Sequence, residues 1–216
     1  MAEGTPLLRV QTGKNRSRGF ESLLLRHFYF LSRRSLLRFF IIFPEQDLKT
    51  MEAASLEKAK TFFDSDISKQ FEFGSFQVLK EIHEYLFWDV YADAGKLRTK
   101  NASSGSFRFL SAVYLSEALA IIEKMPESTY EEIIAKYVET NLAHPFNKGN
   151  GIAQRIWLDQ ILRKNLGLVV DWQKIDKTTY LQALGRSPVN DLELRVLLQQ
   201  ALTSDFEKRG LTFEGG

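Results

Sequence analysis

One stretch of this 216-residue chain constrains its fold more than any other: His144-Pro145-Phe146-Asn147-Lys148-Gly149-Asn150-Gly151, with Arg155 four residues on. It interrupts two helical patterns. Pro145 cannot continue a helical hydrogen-bond ladder, so the helix before it stops there. Gly-Asn-Gly is a turn, and apolar residues at helical spacing resume directly after it. A glycine turn opening a helix is an anion cradle, because backbone can approach the ligand closely and helix-terminal N–H groups and dipole point at negative charge. His144, leading into that turn, can act as a base beside the anion. The residues therefore describe a phosphate held next to a proton acceptor.

The flanking pattern is overwhelmingly helical from Ser55 onward. Residues 55–63 and 75–88 carry spaced apolar residues, with Phe76, Leu79, Ile82, His83 and Leu86 on one face of the second. His83 on that stripe reads as a packed or surface histidine. Residues 112–124 predict another helix, ended by Pro126. Ser128 with Glu131 reads as a capping box opening the next. Tyr130, Ile133, Ile134, Tyr137, Val138 and Leu142 then form one apolar stripe ending at His144. After Gly151, residues Ile152, Ile156, Trp157, Ile161 and Leu162 point inward, while Arg155 and Asp159 stand one turn apart and can pair. Helices near 178–185 and 191–205 complete the domain. Only residues 97–109 break the rhythm. Ser/Gly punctuation between Leu97-Arg98-Thr99 and the alternating Phe107-Arg108-Phe109 predicts a short β-hairpin. The fold class is all-α with one small hairpin.

Composition narrows the chemistry. There are no cysteines, which excludes disulfides, thiol catalysis and Cys-based metal sites and suits a reducing, cytoplasmic setting. Three histidines, His27, His83 and His144, are too few for a poly-His metal centre. Residues 1–50 hold nine Lys/Arg against four Asp/Glu, so the net charge of +2 comes from this segment. The remainder is mildly acidic, and nucleic acid is not an expected partner. Residues 23–43 are apolar but broken by Arg26, Arg33, Arg34 and Arg38, which makes membrane crossing costly. Three regions result: an extension over 1–50, read as disordered or mis-assigned; a domain over 51–209; and a tail over 210–216.

The central motif resembles that of Fic-domain proteins, His-x-Phe-x-acid-Gly-Asn-Gly-Arg-x-x-Arg. The chain matches at His144, Phe146, Gly149, Asn150, Gly151 and Arg155, and departs at Lys148 and Ile152, where the family has an acid and an arginine. The resemblance runs from about Ser55 to Arg209. It includes Phe87-Trp88-Asp89-Val90-Tyr91, Ala94-Gly95-Lys96-Leu97-Arg98-Thr99 and Arg186-Ser187-Pro188-Val189-Asn190-Asp191, and it is closest to compact bacterial single-domain members.

That resemblance implies transfer of AMP from ATP to a Ser, Thr or Tyr hydroxyl of a target protein. His144 would be the general base and Asn150 an amide donor to the α-phosphate. Gly149 and Gly151 would cradle the phosphates, Arg155 would clamp the terminal ones, and Ser103 and Ser104 would contact nucleotide from the flap. The target would dock along the flap at 97–109. Mg²⁺ is implied as well, but its usual protein ligand is replaced by Lys148, which has no lone pair to offer when protonated. Lys148 could instead place its own positive charge beside the phosphates. Family members often carry an inhibitory helix, for which Glu214 and Glu207 are the candidates here, and compact members often form homo-oligomers. The alternative is a degenerate domain that binds nucleotide or protein without chemistry, or one that uses another phosphate-linked donor.

Overall fold

A computed structural model describes residues 57–59, 74–105, 107–207 and 210. The extension over 1–50 and Glu214 lie outside these residues. Helix α1 spans Phe76–Phe87 and starts where Ser75 accepts the Val78 N–H at 3.3 Å. A 3₁₀ turn over Ala112–Tyr114 leads into α2, Leu115–Glu123. Next come α3 over Tyr130–Ala143, α4 over Asn150–Leu166, α5 over Lys177–Arg186 and α6 over Leu192–Gln200. Residues 57–59 are helical too. The all-α expectation holds for the described residues, with strands of only two residues each.

Helix α4 is the axis of the domain, packed against α1 and α3. Ile156, Trp157, Leu158, Ile161 and Leu162 are all buried, and so are the polar Gln154, Asp159 and Gln160. Burial this far round the helix removes any single apolar stripe, as befits a helix enclosed by its neighbours. Each fully buried Leu or Ile contributes about 1.5–3 kcal/mol over an exposed one. Gly167 ends the helix in the left-handed conformation at φ 64°, donating its N–H to the Arg163 carbonyl at 3.1 Å.

Three boundaries differ from the sequence reading. The capping box of α3 is Thr129 with Glu132, one residue beyond Ser128 and Glu131. Thr129 holds the extended backbone a cap requires, and the Glu132 carboxylate receives the N–H groups of both Ser128 and Thr129, at 2.9 and 3.0 Å. The last helix stops at Gln200 instead of 205. Leu202–Thr203 (β4) leave it to pair antiparallel with Val169–Val170 (β3), a tertiary contact without local signal. The hairpin is also smaller than 97–109: Ser103–Ser104 (β1) pair with Phe107–Arg108 (β2), Ser103 opposite Arg108 and Ser104 opposite Phe107.

Candidate active site

Helix α3 delivers His144 as its C-cap, at φ 47° and ψ 64°. Right-handed helix is disfavoured immediately before a proline, and the left-handed turn swings the chain out of α3 at that point. His144 is the one non-glycine at positive φ among the described residues, a costly conformation characteristic of functional sites. Its N–H still caps Thr140 at 3.1 Å. The imidazole stacks on Phe109 beside the flap, ring centres 3.7 Å apart and planes 15° from parallel. Its Nδ1 is buried without a hydrogen-bond partner among the described residues. Burial, reinforced by the Arg98 guanidinium, lowers the His144 pKa to about 4. The ring is therefore neutral at physiological pH and able to accept a proton.

The loop after His144 is braced from inside. Phe146 is fully buried in the core cluster and anchors the loop. The Asn150 side chain bridges back across the loop, its Oδ1 accepting the Phe146 N–H at 3.0 Å and its Nδ2 donating to the Phe146 carbonyl at 2.7 Å. One Asn150 amide hydrogen is thereby committed to holding the loop rather than to a ligand. Gly149 is the N-cap of α4, at φ 72°, and a Cβ there would lie 2.4 Å from the Phe87 ring. Only glycine satisfies both conditions. Gly151 is different: it lies in the first helical turn, where a Cβ would meet nothing nearer than the Arg155 guanidinium at 3.6 Å. The N–H groups of Gly149, Asn150, Gly151 and Ile152 donate to no described residue. Four consecutive donors at a helix N-terminus, without an acceptor among the described residues, form an anion nest.

His144 and the first turn of α4 open onto a cleft of about 540 Å³. The flap residues Ser103, Ser104, Phe107 and Phe109 form one wall. His144, Asn150, Gly151 and Arg155 line its base, and Tyr180, Leu181 and Leu184 of α5 face them. Arg155 lies over the Trp172 ring, 5.3 Å from its centre. Asp159, one turn on, accepts the Val170 N–H at 2.9 Å and the Trp172 indole N–H at 3.2 Å, fastening α4 to the following strand. Lys148 is not among the lining residues. It is exposed, with its ammonium 5.6 Å from the centre of the Tyr91 ring. Glu207 stands in an exposed turn instead of a helix.

Four contributors were not singled out in the sequence. Asn141 and Gln154 line the cleft. Helical spacing could have found both, since Asn141 is one turn before His144 and Gln154 one turn after Asn150. Tyr180 arrives from a distant helix, without a local signal. Arg98 is the fourth. It is buried, and its guanidinium donates to the carbonyls of His144 at 2.7 Å, Lys100 at 2.8 Å, Ala143 at 3.0 Å and Leu110. One side chain thus ties the end of α3 to both flanks of the flap.

A site built around an anion nest, a neutral histidine and a hairpin wall belongs to a recognisable class. The Fic/DOC family model matches residues 74–162. A probable protein adenylyltransferase Fic from Salmonella typhimurium is 33% identical over 134 residues, covering 56% of this chain and 66% of that protein. Its namesake from Escherichia coli K12 is 30% identical over 138 residues, covering 59% and 68%. The chain thus spans about two thirds of the length of these relatives. The solved structure of BepC, a VirB-translocated effector of Bartonella tribocorum with bound AMPPNP, superimposes with a TM-score of 0.60. That match has 17% identity over 74% of this chain and 88% of the other. The chain belongs to the Fic/DOC family.

Proposed function

We propose that the chain is a nucleotidyltransferase that moves AMP from ATP to a Ser, Thr or Tyr hydroxyl of a target protein. The observation that carries this reading is the meeting, at one cleft, of the neutral His144 and the first turn of α4, where the N–H groups of Asn150 and Gly151 donate to no described residue. His144 takes the hydroxyl proton as the oxygen attacks the α-phosphorus. The bond from that phosphorus to the bridging oxygen breaks, and pyrophosphate leaves with its charge spread over the nest. Arg155 offers a guanidinium fork to the outer phosphates. The apolar wall of Leu181 and Leu184 suits a nucleobase. The target's backbone would lie along the exposed edge at Ser103–Ser104, an added strand that positions a hydroxyl with little sequence preference. The names of the relatives and the AMPPNP in the BepC structure support ATP as donor. A cytoplasmic setting, where disulfides are rare, suits a chain without cysteine.

The residues present do not fit a protein-held Mg²⁺. Lys148 occupies the ligand position with an ammonium, and no group of three or more carboxylate or imidazole ligands occurs among the described residues. The same observation, with Ile152 packed against the core instead of a phosphate-binding arginine, favours a second reading in which the chain binds nucleotide without transferring it.

Intact-mass spectrometry after incubation with ATP and Mg²⁺ separates the two readings. A gain of one AMP, on the chain or on a hydroxyl-bearing target, that disappears in His144→Ala supports transfer. Gain only in Lys148→Glu/Ile152→Arg supports the degenerate reading. Gain that persists in His144→Ala removes the base assignment.

A further inference from the structure

His83 has no part in the chemistry above, yet it lies beneath the nest. It is buried on α1, its ring stacked on Phe146 at 3.8 Å between centres and 21° between planes. Both ring nitrogens are engaged. Nδ1 accepts the Gly95 N–H at 2.9 Å, and Nε2 lies 2.8 Å from the Lys148 carbonyl oxygen. Gly95 offers only a donor and Lys148 only an acceptor, so the partners require the neutral ring with its hydrogen on Nε2.

The Lys148 carbonyl shares a peptide plane with the Gly149 N–H. In a trans peptide the two point in opposite directions. A donor on α1 that holds the carbonyl toward itself therefore turns the Gly149 N–H away from α1. One turn along α1, the Phe87 ring lies where a Gly149 Cβ would be, so the same helix face meets the loop at a second point. The N–H fixed in this way is the first of the four unpaired donors, and no described residue accepts from it.

We infer that His83 is a positioning residue for phosphate, which locks the Lys148–Gly149 peptide so that the Gly149 N–H joins the anion nest of α4. The inference rests on the proposed nucleotide reading of the cleft. Its cost is paid on folding, so the donor needs no reorganisation when anion arrives. A histidine kept only for packing would serve as well with a phenyl ring in its place. Positioning requires the Nε2 hydrogen.

The test is calorimetric titration of the full chain and of His83→Phe and His83→Gln with ATP, inorganic pyrophosphate and adenosine, beside melting curves. His83→Phe keeps a ring on Phe146 and loses both hydrogen bonds. His83→Gln keeps an amide that can donate to the Lys148 carbonyl. The expected result is a loss of about tenfold or more in affinity for ATP and pyrophosphate in His83→Phe, near what one aimed hydrogen bond supplies. Adenosine binding should be unchanged, and His83→Gln should recover part of the loss. Equal phosphate affinity in wild type and His83→Phe, or a parallel loss for adenosine, would overturn the assignment. A second arm needs no substitution: pyrophosphate added to ¹⁵N-labelled wild type should shift the Gly149 amide and the His83 Nε2–H resonances, and binding that leaves both unmoved also overturns it. If wild type binds neither ATP nor pyrophosphate, the nucleotide reading falls. If wild type binds both and His83→Phe matches it, only the His83 assignment falls.

Discussion

At the scale of single residues, the site is decided by what burial does to histidine and to glycine. The folded His144 pKa is lowered to about 4, below the ordinary value of 6.5, because the charged ring would sit among apolar groups and face Arg98. His83 is lowered too, first by burial. A lowered histidine pKa means the unfolded chain binds more protons than the folded one between the two values, so stability rises with pH across that window. Acidification from pH 6.5 toward 4 should therefore destabilise the domain. An NMR titration of the His144 ring in the ligand-free protein should show a midpoint well below 6.5. A midpoint at or above 6.5 would remove the account of a base that stays neutral. Gly149→Ala should lower stability by about 2–4 kcal/mol. It adds a left-handed penalty of about 1–2 kcal/mol to a clash with Phe87, and it is measurable by denaturant unfolding. Gly151→Ala, in open helical space, should cost far less.

At the scale of elements, the flap is held by a few contacts, with the Arg98 guanidinium at their centre. The paired strands are two residues each, too few to stand alone. Their attachment comes from Arg98 beneath them, from the Leu110 N–H to the Leu142 carbonyl at 3.1 Å, and from Phe109 stacked on His144. Arg98→Met should cost about 3 kcal/mol or more, since it removes the donor from the buried Ala143 carbonyl and from the part-buried bonds to His144 and Lys100. Hydrogen exchange should accelerate at Phe109 and Leu110 well before the core amides of α4. Uniform acceleration across both would show that Arg98 supports the whole domain and not the flap.

At the scale of the whole molecule, a chain that turns back on α4 builds the cleft. Asp159 receives two donors from the segment after the helix, and β3 pairs with β4 so that α5 is returned against the site. Asp159→Asn puts an amide against at least one of those donors. It should cost about 1–3 kcal/mol and weaken nucleotide binding through loss of the α5 wall, read by thermal unfolding and by titration with ATP. A destabilised variant with unchanged ATP affinity would separate the fold's closure from the cleft.

Much of this was legible in the sequence, and for local reasons. The helices of α1, α3 and α4 follow from apolar spacing, the break at Pro145 from its missing N–H, and the His144 and glycine-turn pairing from the motif itself. The capping box slipped by one residue because Ser128 and Thr129 offer the same hydroxyl chemistry, and only backbone geometry chose between them. The end of α6 was misplaced because Leu202 and Thr203 take their partners from residues more than thirty positions earlier. Asn150 and Lys148 carry the same lesson inside the site. Sequence could say which groups each offers, an amide and an ammonium, while the packed loop decided that one braces Phe146 and the other lies over Tyr91. The sequence determined the chemical inventory and the helical periods, since both are written within a few residues of each other. Direction, burial and partnership were left to the tertiary structure, because they depend on atoms that the chain brings together only by folding.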